Sequence, residues 1–394
     1  MMRTVRDIPV FANIPILVRA PLNVPVGDGT VTSNYRLRRA VPTIRFLSER
    51  GAKVVLISHI EGAGLPAGRQ GTETLAPVAE ALGTLVSGVS FFGETVGERA
   101  RAAVRALAPG NVLVLENLRR NRGEKMNDRA FAHELAALAD VFVQDSFDTC
   151  HRRHASIIGV PELLPSYAGL LLDEEVRELS RALTPESPSL AVIGGMKFST
   201  KEPALVALSR KYDKIFVGGA LASDFLKAAG QEVGESLVSE HALGSAEELL
   251  ASHRLVLPVD SLVVPASLVG SSDAPIRARV ALAGQIRPDE SILDHGPDTT
   301  ALLARLAEEA KTILWNGPLG NYENGFTNAT NDFARVVAES GARSVVGGGD
   351  TVAAIEGLGL LPHFSFVSTG GGAMLAFLAK GTLPGIEALG TSDV

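Results

Sequence analysis

The 394-residue sequence contains one cysteine, Cys150. That count excludes an intrachain disulfide and a metal site built from several thiolates, and it suits a reducing compartment. Aromatic residues make up only 5% of the chain, too few for the stacking platforms that hold single-stranded nucleic acid. No strong excess of charge is present either. The net charge of −7 supplies no global attraction to nucleic acid or to acidic membranes, so an anionic ligand must be held by local clusters of basic residues. No apolar run approaches the ~18 uninterrupted residues of a membrane helix. The first apolar stretch is broken by Pro9, Asn13, Pro15, Arg19 and Pro21 and has no signal-peptide pattern. A cytoplasmic protein without nucleic-acid or membrane partners is the expectation.

The chain exceeds the roughly 250–300 residues that one hydrophobic core can serve, so two domains are expected. Short runs rich in Val, Ile and Leu recur along it. They are Ile16–Val18, Val54–Ile57, Val112–Leu115 and Val141–Val143, then Leu190–Ile193, Ile215–Val217, Leu255–Leu257, Ile313–Trp315, Ser344–Val346 and Phe364–Val367. Such runs read as strands buried on both faces. Helical spacing lies between them, at Thr74–Leu82, Ala130–Leu138, Ser245–Leu250 and Thr300–Ala310. This alternation predicts an α/β protein of two doubly wound parallel sheets with a cleft between them. A helix over Leu170–Ala182, stopped by the prolines of Thr184-Pro185-Glu186-Ser187-Pro188, is the expected link. The expected boundaries are 1–169, a linker at 170–184, and 185–377. Gly62–Gly71, with four glycines, reads as a mobile loop.

The two halves differ where strands end. In the second half the strands run into Gly194-Gly195, Gly218-Gly219, Gly347-Gly348-Gly349, Gly370-Gly371-Gly372 and Asn316-Gly317-Pro318-Leu319-Gly320. In the first half they run into Arg19, His59, Glu116-Asn117-Leu118-Arg119 and Asp145. Open α/β sheets bind ligands outside the carboxyl ends of their strands. One half therefore offers bare backbone and the other offers charged side chains, a nucleotide domain and an anionic-substrate domain. Glycines after strands let amides approach phosphate, and five such turns in one half outweigh ordinary turn chemistry. No G-x-x-x-x-G-K-[ST] or G-x-G-x-x-G pattern occurs at these turns, which weighs against P-loop and dinucleotide sites. Lys197 and Lys201 lie at a helix start, where the helix dipole disfavours cations, so contact with phosphate is the better explanation. Asp350 reads either as a helix cap or as a carboxylate for Mg²⁺ on nucleotide phosphates. Arg19, Arg36, Arg119 and Arg152, with His59, His151 and His154, supply forks for a small ligand bearing more than one negative group.

Taken in order, these blocks resemble the phosphoglycerate kinase family over nearly the whole chain. They include Arg19…Asn23-Val24-Pro25, Arg36, Ser58-His59, Leu115-Glu116-Asn117-Leu118-Arg119, Asn121-Arg122-Gly123-Glu124 and Asp145-Ser146-Phe147…His151-Arg152…His154. Gly194-Gly195-Met196-Lys197…Lys201, Leu257-Pro258-Val259-Asp260, Trp315-Asn316-Gly317-Pro318…Glu323, Gly347–Thr351 and Ser368–Ala373 follow. The resemblance implies a monomer whose C-terminal segment, 378–394, returns to the first domain. It implies transfer of the acyl phosphate of 1,3-bisphosphoglycerate to Mg-ADP, with closure about the linker helix. Arg36 and Lys197 would stabilise the moving phosphoryl group, helped by amides of Gly348, Gly349, Gly371 and Gly372. Asn23, His59, Arg119 and Arg152, with Arg19 and His154, would bind the acid. Lys201 would hold nucleotide phosphates, Asp350 the Mg²⁺ and Glu323 the ribose. Gly194, Gly218 and Pro318 would line the adenine slot, with Gly195, Gly219, Asn316 and Thr351 completing the nucleotide set.

The sequence also departs from the family pattern. R-x-D-x-N becomes Arg19-Ala20-Pro21-Leu22-Asn23, and S-H-L-G-R-P becomes Ser58-His59-Ile60-Glu61-Gly62-Ala63. Arg120 stands for an aromatic, Asp148 and Arg153 for small residues, Thr200 for Asp, Ala220 for Gly and Ala376 for Glu. The first two changes strike the acid site, where each lost charge-assisted bond costs roughly 1.5–3 kcal/mol. Arg69 is a candidate replacement for the lost arginine. A kinase for another small phosphorylated acid, or a nucleotide-binding protein with little turnover, are the alternative functions.

Overall fold

The computed structural model describes residues 2–61, 73–239 and 243–390. The chain forms two compact units, Met1–Arg177 with Thr382–Val394, and Glu178–Gly381. It passes from the first to the second within helix Leu170–Ala182.

In the first unit the strands are β1 (Pro15–Arg19), the hairpin pair β2 (Val26–Gly27) and β3 (Thr30–Val31), β4 (Lys53–Ile57), β5 (Val89–Phe92), β6 (Val112–Leu115), β7 (Val141–Gln144) and β8 (Ser166–Ala168). Six of them form one sheet in the order β5-β6-β4-β1-β7-β8, with every pairing parallel. β1, β4 and β6 are almost wholly buried, as expected of strands covered on both faces. The order reverses direction between β1 and β7, so the switch point lies beside Arg19 at the end of β1 and Asp145 just after β7. On one side of the sheet the core joins Ile16, Val18, Leu37, Ile44, Val54, Leu56, Leu82 and Val114.

The second unit contains β9 (Ser189–Ile193), β10 (Lys214–Val217), β11 (Leu255–Val256), β12 (Asp260–Pro265), β13 (Arg279–Leu282), β14 (Glu290–His295), β15 (Thr312–Asn316), β16 (Arg343–Gly347) and β17 (Phe366–Val367). Its main sheet is parallel and ordered β11-β10-β9-β15-β16-β17. The switch point falls between β9 and β15, where Gly194 and Asn316-Gly317-Pro318 emerge.

The ten expected strands are present. β5 and β8 lack a distinct apolar run, Ser90 interrupting one and Ser166-Tyr167-Ala168 forming the other. They are strands because a formed neighbour supplies their hydrogen bonds. The larger difference is a three-stranded antiparallel sheet, β13-β12-β14. It packs on small apolar clusters of its own around Val264, Leu293 and Phe326, and around Val263, Ala281 and Ile286. The buried start of its central strand, β12, is tied down by Asp260, whose carboxylate accepts from the amides of Asp298 and Thr299 at the start of helix Pro297–Glu309. Among the described residues no helix is long and apolar enough to cross a membrane.

Candidate functional site

In the first unit the basic residues converge on the switch point. Arg19 ends β1 with its side chain buried. Its Nη1 donates to Ser58 Oγ (3.0 Å), its Nε to Ser156 Oγ (3.1 Å) and its Nη2 to His59 Nδ1 (2.9 Å). Ser58 Oγ in turn donates to the Ala20 carbonyl (2.7 Å) and accepts from Leu22 N (3.2 Å), which fixes the turn holding Pro21 and Asn23. Ser156 Oγ donates to Glu124 Oε1 (2.6 Å) and Ser156 N to Glu124 Oε2 (3.0 Å). Glu124 is 1% exposed, and its field offsets those of Arg19 and Arg119.

The proton on His59 follows from this geometry. An arginine can only donate, so Nδ1 accepts. Burial, and then Arg19, Arg119 and Arg152, hold the imidazole well below its ordinary pKa. The neutral ring therefore carries its proton on Nε2, which is buried and has no hydrogen-bond partner among the described residues. Arg119 shows the same feature. Its side chain is 2% exposed, and Nε, Nη1 and Nη2 make no hydrogen bond to the described residues. Burial, Arg152 and Arg19 push its pKa down to about 10, so it remains charged at neutral pH. The Glu61 carboxylate is its ion-pair neighbour. His154 is held at about 4 by burial and by Arg152, Arg119, Arg19 and Lys125. Half-buried Arg36 donates from Nη1 to the Asn23 carbonyl (2.6 Å), and Asn23 Oδ1 accepts from Glu61 N (3.2 Å).

Arg19, Asn23, Arg36, His59, Arg119, Arg152 and His154 thus share one connected electrostatic and hydrogen-bonded neighbourhood. The C-terminal stretch supports it from below, since Gly385 N donates to the Cys150 carbonyl (2.8 Å) and Gly385 packs on Ile157. Ser58, Ser156 and Glu124 hold the cluster together, and sequence reasoning assigned them no role. A carboxylate two positions beyond the arginine-rich stretch Arg119–Arg122 was the available signal for Glu124. Arg69 and Gly62 lie outside the described residues, as does the rest of the expected mobile loop through Gly71.

In the second unit the glycine turns separate into two kinds. Gly194 and Gly317 press backbone on backbone at the β9–β15 switch point. A Cβ on Gly194 would overlap the Pro318 carbonyl oxygen, and one on Gly317 (φ +97°) would overlap the Gly194 carbonyl. Gly218 is closed in by His295 and Leu319, and Gly219 by Gly195. At Gly349 and Gly372, by contrast, an added Cβ meets nothing within 4 Å. These two glycines sit in the first turns of helices Gly349–Gly357 and Gly371–Lys380, neither of which has a side-chain cap. Uncapped first-turn amides are the donors an anion uses.

Exposed Lys197 is the cap residue of helix Phe198–Ser209, and Lys201 lies in its first turn. The Lys201 ammonium lies over Gly195, where an added Cβ would be 3.1 Å from Nζ. Burial lowers its pKa, and the charge of Asp350 opposes that shift. Asp350 is exposed at the second position of its helix, whose cap residue is Gly348, and this removes the helix-cap alternative. Thr351 Oγ1 is turned inward and accepts from Gly317 N (3.1 Å). Asn316 Nδ2 reaches the Gly371 carbonyl and Met374 Sδ at 3.5 Å each. Pro318 is half-buried and Glu323 exposed in the turn Tyr322–Asn324. That fifth glycine turn enters a short 3₁₀ turn before its helix, Asn328–Glu339, begins. Among the described residues no group of three or more His, Cys, Asp or Glu side chains forms a metal cage. A lone exposed carboxylate suits Mg²⁺, which keeps waters and is shared with nucleotide phosphates.

The sequence pattern of the phosphoglycerate kinase family matches residues 5–381. The phosphoglycerate kinase of Azorhizobium caulinodans is 45% identical over 386 residues, covering 95% of this chain and 96% of its own. That of Thermus thermophilus is 45% identical over 383 residues, covering 95% and 96%. Among solved structures, phosphoglycerate kinase from Pyrococcus horikoshii superposes with a TM-score of 0.85 at 30% identity over 98% of each chain. The Coxiella burnetii enzyme gives 0.80 at 38% identity over 99% of each. The chain belongs to the phosphoglycerate kinase family.

Proposed function

We propose that the first unit holds the acid and the second the nucleotide in reversible phosphoryl transfer between 1,3-bisphosphoglycerate and Mg-ADP, giving 3-phosphoglycerate and ATP. The observation that carries the acid site is a pair of buried donor groups that make no hydrogen bond to the described residues, the Arg119 guanidinium, which has only the Glu61 carboxylate as ion-pair neighbour, and His59 Nε2. Leaving such donors without hydrogen bonds is costly, and an oxyanion satisfies both. Arg19 acts through His59 by fixing its tautomer. Asn23, Arg152 and His154 complete the site.

The acceptor in the reverse direction is already a carboxylate, so no general base is needed. The chemistry asks for positioning and for charge around the moving group. Arg36 and Lys197, with the amides of Gly348, Gly349, Gly371 and Gly372, supply that charge. Lys201 binds nucleotide phosphates. Gly194, Gly195, Gly218, Gly219, Asn316, Pro318 and Thr351 shape the base-binding backbone, and Glu323 takes the ribose. Asp350 would hold Mg²⁺ together with the phosphates, where the ion neutralises their charge. The buried thiol Cys150 fits a cytoplasmic, glycolytic enzyme, here proposed to act as a monomer.

The test is a coupled assay with ATP and 3-phosphoglycerate. Wild type should turn over at ordinary kinase rates, and Lys197→Ala should lose about a hundredfold or more in kcat. Absence of turnover by wild type would end this reading.

A further inference from the structure

Glu61 stands two residues beyond His59, and its carboxylate lies against Arg119 Nη1, with Oε1 4.0 Å from Arg152 Nη1. Both cations belong to the proposed acid site. The peptide presenting this carboxylate is anchored. Glu61 N donates to Asn23 Oδ1 (3.2 Å), while Ile60 N donates to Asn117 Oδ1 (3.3 Å) and Asn117 Nδ2 donates to the Ile60 carbonyl (3.0 Å). The Glu61 side chain is 42% exposed, so water can solvate it, and burial does not force it onto a partner. The charges of Arg119 and Arg152 draw it in.

We infer that Glu61 is an internal competitor for the anion pocket, a specificity-determining residue that occupies the arginines a phosphorylated acid must take. The inference rests on reading the first unit as the acid site. One arginine fork cannot serve two oxyanions fully, because each claims the same N–H donors. A dianionic phosphate displaces the monocarboxylate by charge, and its affinity falls by the strength of the internal pair. A singly charged acid competes less well, so Glu61 also sharpens discrimination in favour of phosphorylated ligands.

The experiment compares wild type with Glu61→Gln, which keeps size and removes charge, and with Glu61→Ala as a second variant. Titration calorimetry with inorganic phosphate and with 3-phosphoglycerate reads the pocket directly. Both dissociation constants should fall about two- to fivefold in the variants, the range of a partly exposed ion pair, and the KM for ATP serves as internal control. Unchanged or weaker binding of both anions overturns the inference, whatever the turnover. If phosphate binds more tightly in the variants but no form turns over 3-phosphoglycerate, Glu61 is the competitor and the reading of the acid as 3-phosphoglycerate is what fails.

Discussion

Replacing Arg119 by Met should stabilise the first unit and remove most of its affinity for anions. Arg119 is charged and nearly inaccessible, stands in the repelling fields of Arg152 and Arg19, which Glu124 and Asp148 only partly offset, and has the exposed Glu61 carboxylate as ion-pair neighbour, while its donors make no hydrogen bond to the described residues. The fall of its pKa from 12.5 to about 10 corresponds to about 3 kcal/mol held against the charged form. Methionine keeps most of the apolar stem and asks for no partner. Glu61, 42% exposed, gives up at most about 1 kcal/mol with the lost pair. After imperfect repacking, a net gain of about 1–2 kcal/mol is expected, in line with replacing a poorly compensated buried charge. For a unit of this size that raises the thermal midpoint by about 2–8 °C. Differential scanning calorimetry in a buffer free of phosphate and sulfate measures it. Wild type should in addition gain about 2.7 kcal/mol from 3-phosphoglycerate at a hundred times its dissociation constant, and the variant almost none. A lower midpoint for Arg119→Met without ligand would refute the reasoning, because it would mean that the buried guanidinium is well satisfied and is not waiting for an anion.

Two further outcomes follow from the second unit. Gly194→Ala would force a methyl into the Pro318 carbonyl and should cost about 3 kcal/mol or more. Calorimetry should then show Mg-ADP binding lost while phosphate binding by the first unit persists, and a wild-type denaturation midpoint would contradict it. His295 and Asp294 are buried neighbours with opposed titrations, burial holding the imidazole at about 4 and raising the carboxyl to about 7. Between about pH 6.5 and 4 the unfolded chain takes up a proton that folded His295 refuses, so stability falls on acidification. Over about pH 7 to 4 the folded Asp294 carboxyl holds a proton that the unfolded chain lacks, so stability rises. His295→Leu removes only the first effect and should gain up to about 3 kcal/mol relative to wild type by pH 4. Urea midpoints at three pH values decide it, since parallel wild-type and variant curves exclude the assignment.

Parallel strands buried on both faces write themselves as short Val, Ile and Leu runs, so β1, β4, β6 and β9 were legible in the sequence. The change from charged strand ends to glycine strand ends was legible too, because it depends on residue type alone. The strands β12, β13 and β14 were not, since they mix charged and polar residues with apolar ones, contain or lie near proline, and draw stability from small clusters formed only after folding. Arg19, His59 and Arg119 could be named as anion ligands from composition and order. Which nitrogen of His59 carries the proton, and that Ser58, Ser156 and Glu124 hold Arg19 in place, depends on contacts as distant as 137 positions in sequence. The same division applies to the glycines. Sequence marked every strand-end glycine alike, whereas packing decided that Gly194 and Gly317 make room for each other's backbone and that Gly349 and Gly372 face open space. Residue type sets what a group can do, but burial and neighbouring charge arise only when distant segments meet. They decided which donors at the acid site remain available to a ligand.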